Sequence, residues 1–171
     1  MLTARRTYEI LENQSLWAVA THVHDLLAAE GIPHAIVGGV AVCLHGYRRN
    51  TVDLDLLVNR EDAVRVSDIA RDRAVRVKLV LAGDREGPGQ PTVFPDPANA
   101  VTMIEDLPVL TLAHLIQAKL ACGLGNLRRT HKHFADVVEL IAMHDLGKAF
   151  ATRLHKSVRA EFKALVQNAQ G

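Results

Sequence analysis

Ile36 to Val58 reads I-V-G-G-V-A-V-C-L-H-G-Y-R-R-N-T-V-D-L-D-L-L-V, and this stretch decides how the rest of the chain is understood. Apolar Ala35 to Val37 predicts a short buried strand. Gly38 and Gly39 then let the backbone turn sharply and approach a ligand closely, because neither carries a Cβ. A phosphate is a group that fits such a bend. A short helical segment follows until Gly46, and Val52 to Val58 predicts a second strand containing Asp53 and Asp55. Side chains alternate along a strand, so these two carboxylates share one face, about 7 Å apart along the chain. Two acids side by side on a Leu/Val strand repel each other and lose solvation, so a compensating group is expected. A divalent cation would serve, and Mg²⁺ is commonly shared between carboxylates and the phosphates of a substrate. Solvated acids at a strand end are the alternative. The glycine pair begins 53 − 38 = 15 positions upstream, and Arg49 and Thr51 immediately precede the acids, so candidate phosphate, cation and metal ligands converge.

The chain has 171 residues, 49% of them hydrophobic, enough for a real core. Its formal net charge of +1 is too small to mark a dedicated nucleic-acid module, so any RNA contact has to be local. Cys43 and Cys122 lack metal-ligand spacing and read as buried free thiols, which places the protein in the cytoplasm. Arg5 and Arg6 precede no apolar run of signal-peptide character, and no segment is long enough to span a bilayer. The expectation is a soluble, unexported protein with no membrane partner.

Leu16, Val19, Val23, Leu26 and Leu27 recur at helical spacing, with Ser15 as a possible cap and Gly31 with Pro33 as the stop. His22 and His24 point in different directions on such a helix and read as surface or edge residues rather than metal ligands. A helix from Glu61 to about Arg71 and a strand from Val75 to Leu81 follow. Gly83 to Pro97 is a Gly/Pro-dense turn with at most a short strand near Thr92 to Phe94; it either flanks a cleft or is an ordinary surface loop. Val101 to Ile104 and Val109 with Leu110 add short strands. A helix then begins after Thr111 with Leu112, Leu115, Ile116 and Leu120 inward. The glycines between Gly123 and Lys132 have the wrong spacing for a dinucleotide fingerprint and read as a turn. Phe134, Val137, Val138 and Ile141 mark another helix. The last one is predicted over Lys148 to Ala169, from Phe150, Leu154, Val158, Phe162 and Leu165. His144-Asp145 lacks the partners that a metal phosphohydrolase needs. Arg128, Arg129, Lys132, Lys156 and Arg159 are either a solvated helical face or a patch for an RNA acceptor, whose binding would depend on salt.

Gly38-Gly39, His45-Gly46, Arg49-x-Thr51 and Asp53-Leu54-Asp55, in this order, resemble the signature of the DNA polymerase beta-like nucleotidyltransferase superfamily. Within it, the likeness is closest to small bacterial nucleotidyltransferases of toxin-antitoxin and abortive-infection systems. The resemblance covers about the first sixty residues and continues more loosely around Lys119 and Asp136. It implies an α/β (α+β) fold: a small mixed β-sheet with helices over residues 1–110, and a helical C-terminal half over residues 111–171 packed on it as one compact unit. It implies transfer of a nucleoside monophosphate from an NTP to a hydroxyl of a tRNA end, a protein or a small molecule. Mg²⁺ would lie on Asp53 and Asp55, the nucleotide against Gly38, Gly39, Arg49 and Thr51, and Lys119 would face the phosphates, whereas its place beside a core stripe alone reads as a lysine that snorkels to solvent. A cognate antitoxin or a homo-oligomer would be the protein partner. Asp136 matches a position that mainly fixes neighbouring cations.

The chain departs from the pattern at one place. Active members carry a third carboxylate on the strand after Asp-x-Asp, and the matching position in V-R-V-K-L-V-L-A-G is Lys78, whose protonated amine cannot ligate Mg²⁺. Three accounts remain open. Asp84 or Asp96 supplies the third ligand, transfer proceeds with one well-held metal, or the protein binds a nucleotide, another anion or a partner without turning anything over. In the last case the Lys78 ammonium neutralises Asp53 and Asp55 directly.

Overall fold

The computed structural model describes residues 2–71 and 75–169. The fold is mixed α/β, and the chain divides into two compact units: Met1–Gly83 with Pro95–Thr111, and Asp84–Phe94 with Leu112–Gly171.

The first unit holds a five-stranded mixed sheet in the order β3-β2-β1-β5-β4. The strands are β1 (His34–Val37), β2 (Asp53–Val58), β3 (Arg76–Leu81), β4 (Val101–Ile104) and β5 (Leu107–Leu110). β1 runs antiparallel to β2 and parallel to β5, while β2 and β3 are parallel. β4 and β5 form a hairpin whose two turn residues, Glu105 and Asp106, have φ of 49° and 63°, the left-handed pair a tight hairpin turn demands. β1 and β5 are buried along their whole length, as expected of strands inside a sheet. β2 alternates instead: Leu54 and Leu56 are buried and Asp53 and Asp55 half-buried, so the period of two that pairs the acids also anchors the strand.

Helix α2 (Gln14–Ala29) buries Leu16, Val19, Val23 and Leu27 and packs on β2 and β5. Its N-cap is Asn13 rather than Ser15, and the Asn13 amide donates to Asn50 Oδ1 (2.7 Å) and the Thr51 carbonyl (2.9 Å), tying the helix start to the loop before β2. The sequence reading did not foresee α1 (Ala4–Ile10), which is capped by Thr3 and buries Tyr8 completely. α3 (Gly38–Leu44) and α4 (Ala63–Ile69) complete the unit. His24 is half-buried and lies 2.9 Å from the buried His34, whose other ring nitrogen donates to the Ile32 carbonyl.

The second unit is built on α5 (Leu112–Gly125), α6 (Thr130–Met143) and α7 (Arg159–Ala169). Gly123 lets α5 approach α6 closely, since a Cβ there would lie 2.5 Å from the Phe134 ring. The Asp84–Phe94 segment belongs with these helices and carries a single bridge, Arg85 to Val93, in place of a strand near Thr92. Buried Glu86 in it accepts from Gln117 Nε2 (3.1 Å), and Gln117 Oε1 accepts from the His155 N–H (2.8 Å). The predicted last helix is broken. Two 3-10 turns, Lys148–Arg153 and Lys156–Val158, precede α7, because Leu154 and His155 adopt extended backbone (ψ 157° and 144°). The apolar spacing survives the break: Leu154, Val158, Phe162 and Leu165 are all buried. Cys43 is buried and Cys122 half-buried, both as free thiols. Among the described residues no helix is long and apolar enough to cross a membrane.

Candidate functional site

The Asp-x-Asp face lies at the start of β2, flanked by β1 and β3. In-register neighbours on parallel strands project from the same side of a sheet. The pairing sets Asp53 beside Arg76 and Asp55 beside Lys78, so two acids and two bases alternate across one face of adjoining strands. The Lys78 ammonium donates to Asp53 Oδ2, and Arg76 Nε lies 4.0 Å from Asp53 Oδ1. Asp53 is thereby flanked by cations on both oxygens. Lys78 remains 45% exposed and Arg76 74%, against 22% for Asp53, so both cations also reach solvent.

Asp55 reaches the other way. The antiparallel register puts it opposite Val37, immediately before Gly38, whose φ is +66°. A Cβ on Gly38 would lie 2.0 Å from Asp55 Oδ2, and one on Gly39 would lie 2.8 Å from Thr51 Oγ1. The Asp55 and Thr51 side chains thus fill the space that a Cβ on Gly38 or Gly39 would occupy, and Gly38 also needs its left-handed φ. Arg49 Nη1 donates to the Asn50 carbonyl at 3.2 Å. His45, the histidine of the motif, is buried and donates from Nε2 to the Leu110 carbonyl at 2.8 Å, joining the end of α3 to β5.

Lys119, expected to face phosphates, belongs to the second unit. Its Nζ donates to Asp136 Oδ2 at 2.6 Å, with both side chains buried. Asp136 thus holds the Lys119 ammonium within the second unit. Next to this pair, Cys122 Sγ lies 3.1 Å from His133 Nε2. Burial, then the nearby Lys119 charge, push the His133 imidazole down to about 4, and burial pushes the Cys122 thiol up. Both groups are neutral near pH 7, which does not favour a reactive thiolate. The distance between residues 122 and 133 leaves no short-range motif to reveal this contact in the sequence.

These residues can be tested against Mg²⁺ directly. A magnesium ion on Asp53 Oδ2 would have to share that oxygen with the Lys78 ammonium, a like charge. Asp96 Oδ1 accepts from the Ala98 N–H (2.9 Å) and Asn59 Nδ2 (3.3 Å), as a turn cap does. Among the described residues no group of three or more His, Cys, Asp or Glu side chains is placed to hold a metal ion. As arranged, the site fits an ammonium and does not fit a divalent ion. No protein-family model and no curated protein matches the chain.

Proposed function

We propose that the chain is a nucleotidyltransferase-like domain that binds a nucleoside triphosphate or a similar polyphosphate at the Asp53/Asp55 face without transferring it. The observation that carries this reading is the Lys78 ammonium on Asp53 Oδ2, at the strand position where active transferases place a third carboxylate. Arg76 supports it by adding a second exposed cation on the same strand, and Arg49 by lying just ahead of the acids in the chain. In this reading the cations bind and orient the anion, while Asp55 and Thr51 hold the turn at Gly38 and Gly39 in shape.

A second reading keeps catalysis: Mg²⁺-dependent transfer of a nucleoside monophosphate to a hydroxyl on a tRNA end, a protein or a small molecule, in a toxin-antitoxin setting. It is favoured by Asp53 and Asp55 sharing one face of β2. Titration calorimetry with ATP, CTP, GTP and UTP, with and without Mg²⁺, separates the two. Binding that persists in EDTA, with no pyrophosphate released, supports the binding domain. Binding that needs Mg²⁺ and disappears in Asp53→Asn and Asp55→Asn supports the transferase.

A further inference from the structure

Lys78 and Arg76 stand on an edge strand, where charged side chains often serve only to block pairing with another sheet. Their geometry goes further than that role requires. An edge lysine that only deters pairing needs to extend into water, whereas the Lys78 ammonium turns along the sheet face onto Asp53, and Arg76 approaches the opposite oxygen of the same carboxylate. Asp53 occupies the position between two cations that a bound anion would take.

We infer that Lys78 is a tethered counter-cation in place of a metal, and that Asp53 is a placeholder anion which a polyphosphate displaces. The inference rests on the reading that this face takes a polyphosphate and adds how it is held. One carboxylate carries a single charge, while a triphosphate chain brings several charges and many acceptor oxygens to the same two donors. The exchange is feasible because both cations are already partly in solvent, so neither has to be released from a dry interior. Asp55, lodged against Gly38, stays where it is and keeps the turn closed.

This arrangement reverses the sign of a familiar mutation. In a metal-bridged site, removing an aspartate removes the metal and with it the nucleotide. Here, Asp53→Asn removes a competitor and strengthens binding. The experiment is titration calorimetry of the full chain with ATP and with inorganic tripolyphosphate, in EDTA and in Mg²⁺, for the wild type and for Asp53→Asn, Lys78→Met and Lys78→Arg. Circular dichroism establishes that each variant is folded.

The expected result is binding of both probes in EDTA, tightened roughly two- to fivefold by Asp53→Asn, the range of an exposed ion pair. Lys78→Met weakens it roughly tenfold or more, the scale of a hydrogen bond to a charged group, and Lys78→Arg retains most of it. If ATP binds only with Mg²⁺ and Asp53→Asn abolishes it, the counter-cation inference is overturned while nucleotide binding stands. Equal affinity of Lys78→Met and wild type also overturns it, and reduces Lys78 to an edge-strand guard. If neither probe binds under any condition, both the inference and the function proposed above fail.

Discussion

Replacing Lys119 with methionine removes the ammonium and takes from the buried Asp136 carboxylate the donor at 2.6 Å that carries the opposite charge. The two side chains are 7% and 3% exposed, so water cannot take the place of the lost partner. Breaking a buried pair from one side costs about 3–5 kcal/mol, mostly the desolvation of the charge left behind. For a chain of this size each kcal/mol is worth roughly 2–4 °C, so the midpoint should fall by roughly 6–20 °C. Urea unfolding at neutral pH, followed by far-UV circular dichroism, measures the loss. Lys119→Met/Asp136→Leu removes both charges and should recover most of it, because an apolar pair of similar volume replaces an ion pair at little net cost. A Lys119→Met variant within about 0.5 kcal/mol of wild type, the range of ordinary surface changes, would refute the reasoning. So would a double variant no more stable than the single one. Loss of ATP binding with stability intact would return Lys119 to the nucleotide-facing role implied by the sequence resemblance.

Gly38→Ala should be destabilising twice over, through φ of +66° and through a Cβ 2.0 Å from Asp55 Oδ2. In an Asp55→Ala background the 2.0 Å contact is gone and only the tight 3.1 Å contact with the residue-55 Cβ remains, so thermal melts should show a smaller penalty, close to the roughly 1–2 kcal/mol of a left-handed residue. Burial pushes the Glu86 carboxyl up, so its folded form favours the proton, and its contribution, present below the ordinary 4.5, is lost as pH rises through the raised value. Glu86→Gln should therefore melt higher than wild type at neutral pH, with the gap closing in acid. His133 has the opposite sign. Its folded value of about 4 lies below the ordinary 6.5, so its contribution is fully present above 6.5 and disappears as pH falls to about 4. Melts of His133→Asn between these limits should be flatter with pH than those of wild type.

Much of the sheet was readable because its strands are short apolar runs with clear stops, and period-two alternation alone put Asp53 and Asp55 on one face of β2. The position of Lys78 was readable too, by counting along its strand. That its ammonium could neutralise the two acids was readable as one of three accounts; that it bonds Asp53 was not, because this depends on the register between β2 and β3, separated in the chain by α4. The same limit hid the contacts that Gly38 and Gly39 make inside the chain. Local chemistry says that a glycine pair admits close approach; only the pairing of Val37 with Asp55 shows that the Asp55 side chain lies against Gly38. α1 escaped because seven residues with Ala4, Thr7 and Tyr8 inward make too weak an apolar stripe. The predicted C-terminal helix was too long for the converse reason. An i, i+4 apolar pattern persists through 3-10 turns and an extended break, and the imidazole of His155 holds that break by accepting from the Ser157 N–H at 3.2 Å. The hairpin at 84–94 groups with the helices through Gly87 and Gly125, whose contacts with Ala121 and Pro88 leave no room for a Cβ.

Manganese binding followed by electron paramagnetic resonance reads the charge at Asp53 most directly. With Lys78 in place, the wild type should leave added Mn²⁺ with the spectrum of the free ion, while Lys78→Asp, which supplies a third carboxylate beside Asp55, should bind it. Mn²⁺ held by the wild type and released by Asp53→Asn would contradict the account.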